Sequence, residues 1–155
     1  MKYTFEILSA NNKQLFDSLG IKKINVIGHS VGGMLATRFA LLYPQMVNKL
    51  ILEDPLGLED YKKFIPLQPI EALYKNELKG TYASYKKYQQ SYYPMWKTEY
   101  EILVKLQAEP LKQKDFSSVA DINALTWHMI YEEPVLDELK NLGMPVVIIV
   151  GQKDR

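Results

Sequence analysis

The residues whose types and spacing could do chemistry begin with Gly28-His29-Ser30-Val31-Gly32, a G-x-S-x-G pattern. Glycines on both sides of a serine predict a sharp turn in which Cβ clashes are absent and Ser30 is strained with its hydroxyl facing outward. Gly33 adds further room for close packing. A serine so placed has a nucleophilic oxygen open to substrate, and the backbone N–H of Val31, at the start of a following helix, can stabilise a developing oxyanion. The alternative for the same residues is a glycine-rich turn in which Ser30 is an ordinary helix N-cap.

A serine hydroxyl near its free pKa is a weak nucleophile and needs an adjacent base. The sequence has two histidines, His29 and His128. Neighbouring residues diverge around a sharp turn, so His29 reads as a packing or hydrogen-bonding group. Asp54 ends the strand after the turn and could orient a base from there, so Ser30, Asp54 and His128 form a candidate triad in Ser-Asp-His order inside the chain. Otherwise Asp54 reads as a strand-end capping residue before Pro55, and His128 as a surface or core group.

The elements that must position these residues follow from periodicity. Phe5, Leu8, Leu15, Phe16 and Leu19 recur at near-helical spacing, with Thr4 as N-cap and Gly20 at the left-handed stop, which predicts a helix over 5–19. The β-branched run 24–28 predicts a buried strand, and 31–43 a helix that Pro44 ends. The runs 49–54 and 145–151 predict two more strands, and strand-helix-strand order with continuous apolar runs indicates parallel pairing. The expected fold class is therefore α/β, a parallel sheet with flanking helices.

Between these strands the composition changes. Eight of the eleven tyrosines lie from Tyr61 to Tyr100, and Pro66, Pro69, Gly80, Pro94 and Pro110 punctuate the segment. Short helices are expected over 71–78, 82–92, 99–108 and 119–129. Tyr85, Tyr88 and Tyr92, at i, i+3 and i+7, read as the packing face of one helix. The expected organisation is core residues 1–57, an inserted helical cap at 58–142, and core residues 143–155.

Composition sets the outer bounds. At 155 residues, 47% hydrophobic and 24% charged, the chain is of ordinary globular make-up, one domain or part of one. A formal charge of +1 is too small for a nucleic-acid footprint, even with tyrosines interleaved among Lys86, Lys87 and Lys97, so a small-molecule partner is expected and nucleic acid is not. The absence of cysteine removes disulfides, a Cys nucleophile and thiolate metal sites. No cofactor and no metal are expected. No run approaches the roughly 18 apolar residues of a membrane span. Glu6 falls where a signal peptide would build its apolar region, so no secretion signal is read at residues 1–6; the expected location is cytoplasmic. Oligomeric state is not legible.

Beyond the serine motif, the sequence resembles the α/β-hydrolase family. The block from Gly28 through Met34, Arg38, Tyr43-Pro44 and Val47 to Leu50-Ile51-Leu52 and Asp54-Pro55 resembles the family's nucleophile-to-next-strand region. Met144 to Val150, followed by Gly151-Gln152-Lys153-Asp154-Arg155, resembles its late strand and acid-bearing loop. Pro55-Leu56-Gly57-Leu58-Glu59-Asp60, and Met129-Ile130-Tyr131 before Pro134-Val135, resemble a subgroup of bacterial serine hydrolases with a helical cap. The resemblance implies Ser30 as nucleophile, Val31 as oxyanion donor, Asp154 as the acid orienting a triad histidine, and 58–142 as the lid over an acyl pocket.

The family's triad runs Ser, Asp or Glu, then His, and only Arg155 follows Asp154. Nor is there an upstream His-Gly-type loop for the second oxyanion donor. The expectation is therefore a partial α/β-hydrolase fold: an incomplete, inactive piece of a cofactor-independent serine hydrolase acting on an ester or related acyl substrate. C–C hydrolysis or a perhydrolase side activity is a variant within the fold. The reading from a different class is a non-catalytic binding or interaction module that keeps the pocket and has lost the base.

Overall fold

The computed structural model describes residues 3–152. Asp154, expected to be the triad acid, lies outside the described residues. The chain divides into two compact units, one of Met1–Leu67 with His128–Arg155 and one of Gln68–Trp127.

In the first unit, helix α1 spans Phe5–Ser18. Thr4 is extended and its hydroxyl accepts from the Ile7 N–H at 3.2 Å, the cap its sequence position predicts. Glu133, far along the chain, supplies a second acceptor, its carboxylate taking the Phe5 N–H at 3.1 Å. At the other end Gly20, at φ +69°, donates to the Asp17 carbonyl while Ile21 donates to that of Phe16. This paired closure satisfies two otherwise unpaired carbonyls and requires the left-handed residue that glycine adopts without strain.

Strand β1 (Ile24–His29), helix α2 (Val31–Leu42) and strand β2 (Val47–Glu53) follow, with a 3-10 turn at Pro44–Met46 ending α2. Strand β2 starts two residues before its apolar run because Val47 pairs with Ile24 across a register irregularity. Strand β3 (Val146–Ile149) completes a parallel sheet of order β1-β2-β3. Successive rows of the sheet are in register, Val26 with Leu50 and Val146, then Ile27 with Ile51 and Val147. These two rows point to opposite faces.

On the first face Leu50 and Leu52 are fully buried against Ala36, Phe39 and Ala40 of α2, with Phe16 of α1 packed alongside. The Phe16 and Phe39 rings meet edge to face at 5.7 Å. On the opposite face Ile27 is 68% exposed and Val147 53%. Strand β3 covers part of the predicted run 145–151, and β1, expected to be a buried strand, is like β3 an outer strand of this sheet: Ile27 and Val147 to Val150 are exposed. A second cluster, Phe5, Met34, Met129 and Ile130 with Val31, Leu35 and Leu56, packs beneath the start of α2.

The second unit is helical, built from α3 (Ile70–Glu77), α4 (Tyr82–Ser91), α5 (Glu101–Ala108) and most of α6 (Phe116–Glu132). Thr81 and Ser84 form a reciprocal capping box at the start of α4. The predicted tyrosine face is not the face α4 turns to its neighbour. Tyr82, Lys86 and Gln89 meet α5, bonding Glu101 at 2.5 and 2.8 Å and Gln107 at 2.9 Å. Tyr88 and Tyr92 are exposed and pack edge to face on each other. Of the expected stripe Tyr85 is half-buried, and the contact side of the helix lies about one position round from it.

Leu50 has no exposure, so Leu50→Ala should cost about 2–5 kcal/mol. Gly20→Ala, which meets nothing within 4 Å, should cost only about 1 kcal/mol through its positive φ. Urea unfolding monitored by circular dichroism checks both.

Candidate active site

Strand β1 runs straight into α2 with Ser30 as the only residue between them. Ser30 adopts φ 53° and ψ −124°, a conformation L-residues rarely hold and one costing about 1–3 kcal/mol. Its side chain makes no capping bond to α2, so the ordinary N-cap alternative does not describe it. The backbone is held from both sides. The Ser30 N–H donates to the Glu53 carbonyl at 3.1 Å, and its own carbonyl accepts from Gly33 at 2.9 Å and Leu56 at 3.1 Å.

Close approach explains two of the three glycines. A Cβ on Gly28 would stand 2.4 Å from the Gly32 carbonyl oxygen and 2.7 Å from the Ala36 Cβ. A Cβ on Gly33 would stand 2.7 Å from that of Pro55. Gly32 differs from expectation: a Cβ there meets nothing within 4 Å, because it faces away from both the strand and the β2 end. The structural pair is therefore Gly28 and Gly33, not the two glycines of the motif.

Val31 is the first residue of α2, where N–H groups have no partner inside the helix and the dipole favours negative charge. Among the described residues, the non-glycine positions with positive φ are Ser30 and Asp54, at 53° and 40°. They follow the last paired residues of adjacent strands, His29 and Glu53. Asp54 donates its N–H to the Ile149 carbonyl at 2.8 Å, and its Oδ1 accepts from the Gly151 N–H at 2.9 Å. It is thus more than a cap on its own strand, since its carboxylate reaches across to the segment leaving β3.

Two blocks distant in sequence also meet. Gly57, at φ +82°, presents its carbonyl to the N–H groups of Val135 and Leu136 at 3.0 and 3.1 Å. Glu138 pairs with Arg38 of α2 at 2.7 Å. Neither contact, nor that of Glu133 with α1, was legible from spacing, for each joins residues about 80 to 130 positions apart.

The histidines are less engaged. His29 ends β1 and is exposed, while His128 is half-buried in α6. Among the described residues no hydrogen bond joins Ser30, Asp54 and His128; the Asp54 carboxylate bonds Gly151 instead. A shallow depression of about 430 Å³, lined by Leu58, Glu59, Asp60, Lys63, Phe64 and Leu136, contains none of the expected site residues. Shifted ionisations fall elsewhere: burial raises the Tyr85 hydroxyl, and the others belong to exposed hydrogen-bonded pairs. The hydrogen bond to Glu132 raises Lys62, and those from Lys86 and Tyr82 lower Glu101. Among the described residues no cluster of three or more His, Asp or Glu could hold a metal ion, and no helix is long and apolar enough to cross a membrane.

The strand-serine-helix turn in a parallel sheet with helical insertion defines a class, and comparison with known proteins agrees. The alpha/beta hydrolase fold family matches residues 2–155, and the chain belongs to that family. The crystal structure of a probable hydrolytic enzyme from Pseudomonas aeruginosa PAO1 superposes with a TM-score of 0.94 at 41% identity, over 99% of this chain and 50% of that one. The 2-hydroxy-6-oxo-6-phenylhexa-2,4-dienoate hydrolase of Comamonas testosteroni is 39% identical over 64 residues, 41% of this chain and 22% of that protein. A serine hydrolase-like protein of Danio rerio is 33% identical over 78 residues, 50% and 22% respectively. The matched residues span about half the length of the solved relative and less than a quarter of each of these two curated ones.

The glycine geometry separates motif from mechanics. Gly28→Ala and Gly33→Ala should each lose about 1–3 kcal/mol by overpacking, whereas Gly32→Ala should be neutral or gain slightly as a helix former. Thermal melts of the three variants check the order.

Proposed function

We propose that the whole protein carrying this chain is a serine hydrolase acting on an ester or related acyl substrate through an acyl-enzyme. The observation that carries this reading is Ser30 itself, strained, uncapped and set at the N-terminus of α2 by bonds to the end of β2. A hydroxyl is not held at such a cost for packing alone. The serine hydrolase-like relative adds support at the level of sequence.

In this reading Ser30 Oγ attacks the acyl carbonyl carbon and gives its proton to a histidine supplied from outside residues 1–155. The Val31 N–H stabilises the oxyanion that forms. Collapse of the intermediate expels the alcohol, which takes the proton from the histidine, and leaves Ser30 acylated. Water, deprotonated by the same histidine, then releases the acid and restores the serine. Asp154 orients the histidine and stabilises its charged form. Neither His29 nor His128 takes the base role, and residues 1–155 alone are inactive because an unassisted serine hydroxyl is a weak nucleophile. The exposed apolar row of Ile27 and Val147 supports a layer of further structure packed over that face of the sheet in the whole protein.

A fluorophosphonate probe tests the reading. In the whole protein it should label Ser30, and Ser30→Ala should abolish labelling and lower ester turnover on the order of 10⁴-fold or more. A folded wild-type protein that takes no label would overturn the proposal in favour of a non-catalytic binding module.

A further inference from the structure

The end of strand β2 holds two things at once. Its Glu53 carbonyl and Leu56 N–H grip Ser30 from either side of the peptide, at 3.1 Å each. Between them stands Asp54, whose N–H bonds Ile149 and whose carboxylate oxygen takes the Gly151 N–H. The paired register of the sheet stops at Glu53 with Ile149, so the Asp54 to Gly151 bond lies beyond the ladder, where the chain leaves β3. Three positions further along the sequence is Asp154.

We infer that Asp54 is a positioning residue of the hydrolase: its side-chain oxygen fixes the backbone at Gly151, the root of the acid-bearing segment, to the strand end that fixes Ser30. The inference rests on the roles proposed above for Ser30 and Asp154. Gly151 is exposed, so water could satisfy its N–H, and solvation alone gives no reason for a side chain to reach it. What the side chain adds is direction. Asp54 makes this bond from φ 40°, a left-handed conformation that aspartate and asparagine tolerate better than most residues. The arrangement uses Asp54 as an acceptor, and an uncharged amide oxygen at the same place does the same work. This separates the role from that of a triad acid, where the negative charge facing the histidine is the active property.

Two variants of the whole protein test it. Asp54→Asn keeps both the acceptor and the tolerance of positive φ, while Asp54→Gly keeps the backbone freedom and removes the acceptor. Asp54→Gly should lower kcat on the order of 10–100-fold with KM little changed, since a displacement of about 1 Å in a catalytic group has that effect. Fluorophosphonate labelling of Ser30 should slow in step, and hydrogen exchange at the Gly151 amide should quicken. Asp54→Asn should stay within about threefold of wild type in kcat, as a neutral acceptor keeps most of the bond.

Wild-type turnover in Asp54→Gly would overturn the inference. So would an Asp54→Asn variant as poor as the glycine one, which would make charge rather than hydrogen-bond direction the requirement. If the glycine variant does not fold, the asparagine variant still decides, because its loss of activity excludes positioning through a neutral acceptor. Failure of the underlying functional reading looks different: wild-type protein itself leaves Ser30 unlabelled.

Discussion

The contact on which the rest of this structure depends is the meeting of the Ser30 turn with the end of strand β2. Gly33 lies so close to Pro55 that a Cβ would stand 2.7 Å from the proline Cβ, and Gly28 is as tightly shut against the first turn of α2. With no side chains at those two positions, α2 can descend directly from β1 onto the sheet. The parallel neighbour β2 can then end level with Ser30, where its last residue supplies an acceptor and Leu56, in the segment that follows, a donor to that residue. A strained conformation persists only when its surroundings over-determine it. The bonds to Glu53 and Leu56, together with the cluster of Phe5, Met34, Met129 and Ile130 beneath the start of α2, provide that surrounding.

The same strand end explains why strain occurs twice in one place. Ser30 and Asp54 follow neighbouring strands at the same level of the sheet, and each turns through positive φ. In each case the unusual backbone frees a polar group from its own element. Ser30 directs no side-chain bond to the helix it precedes, and Asp54 sends its carboxylate to Gly151 instead of back onto β2. Regular elements thereby terminate in polar groups aimed away from the ladder, which is what a site at the carboxyl ends of parallel strands requires.

Much of the architecture could be read from the residues. Thr4 and Gly20 cap α1 as their types predict, Pro44 stops α2, and the three short apolar runs are the three parallel strands. These features are local, decided by dihedral preference and by the spacing of apolar side chains. The tyrosine stripe of α4 misled for the same reason. Periodicity shows that a face exists, but Tyr82, Lys86 and Gln89 form the contact side because Glu101 and Gln107 sit opposite them.

By itself the sequence determined the turn type at Ser30, the strand-helix-strand order around it and the family to which the chain belongs, because glycine placement and hydrophobic period act over a few residues. Only the tertiary structure decided which glycines are sterically required. It also decided that Asp54 bonds Gly151 across nearly a hundred positions, and that Glu133 closes the N-terminus of α1. Those outcomes depend on which groups the fold brings into contact from distant parts of the chain, and chain separation carries no record of that distance.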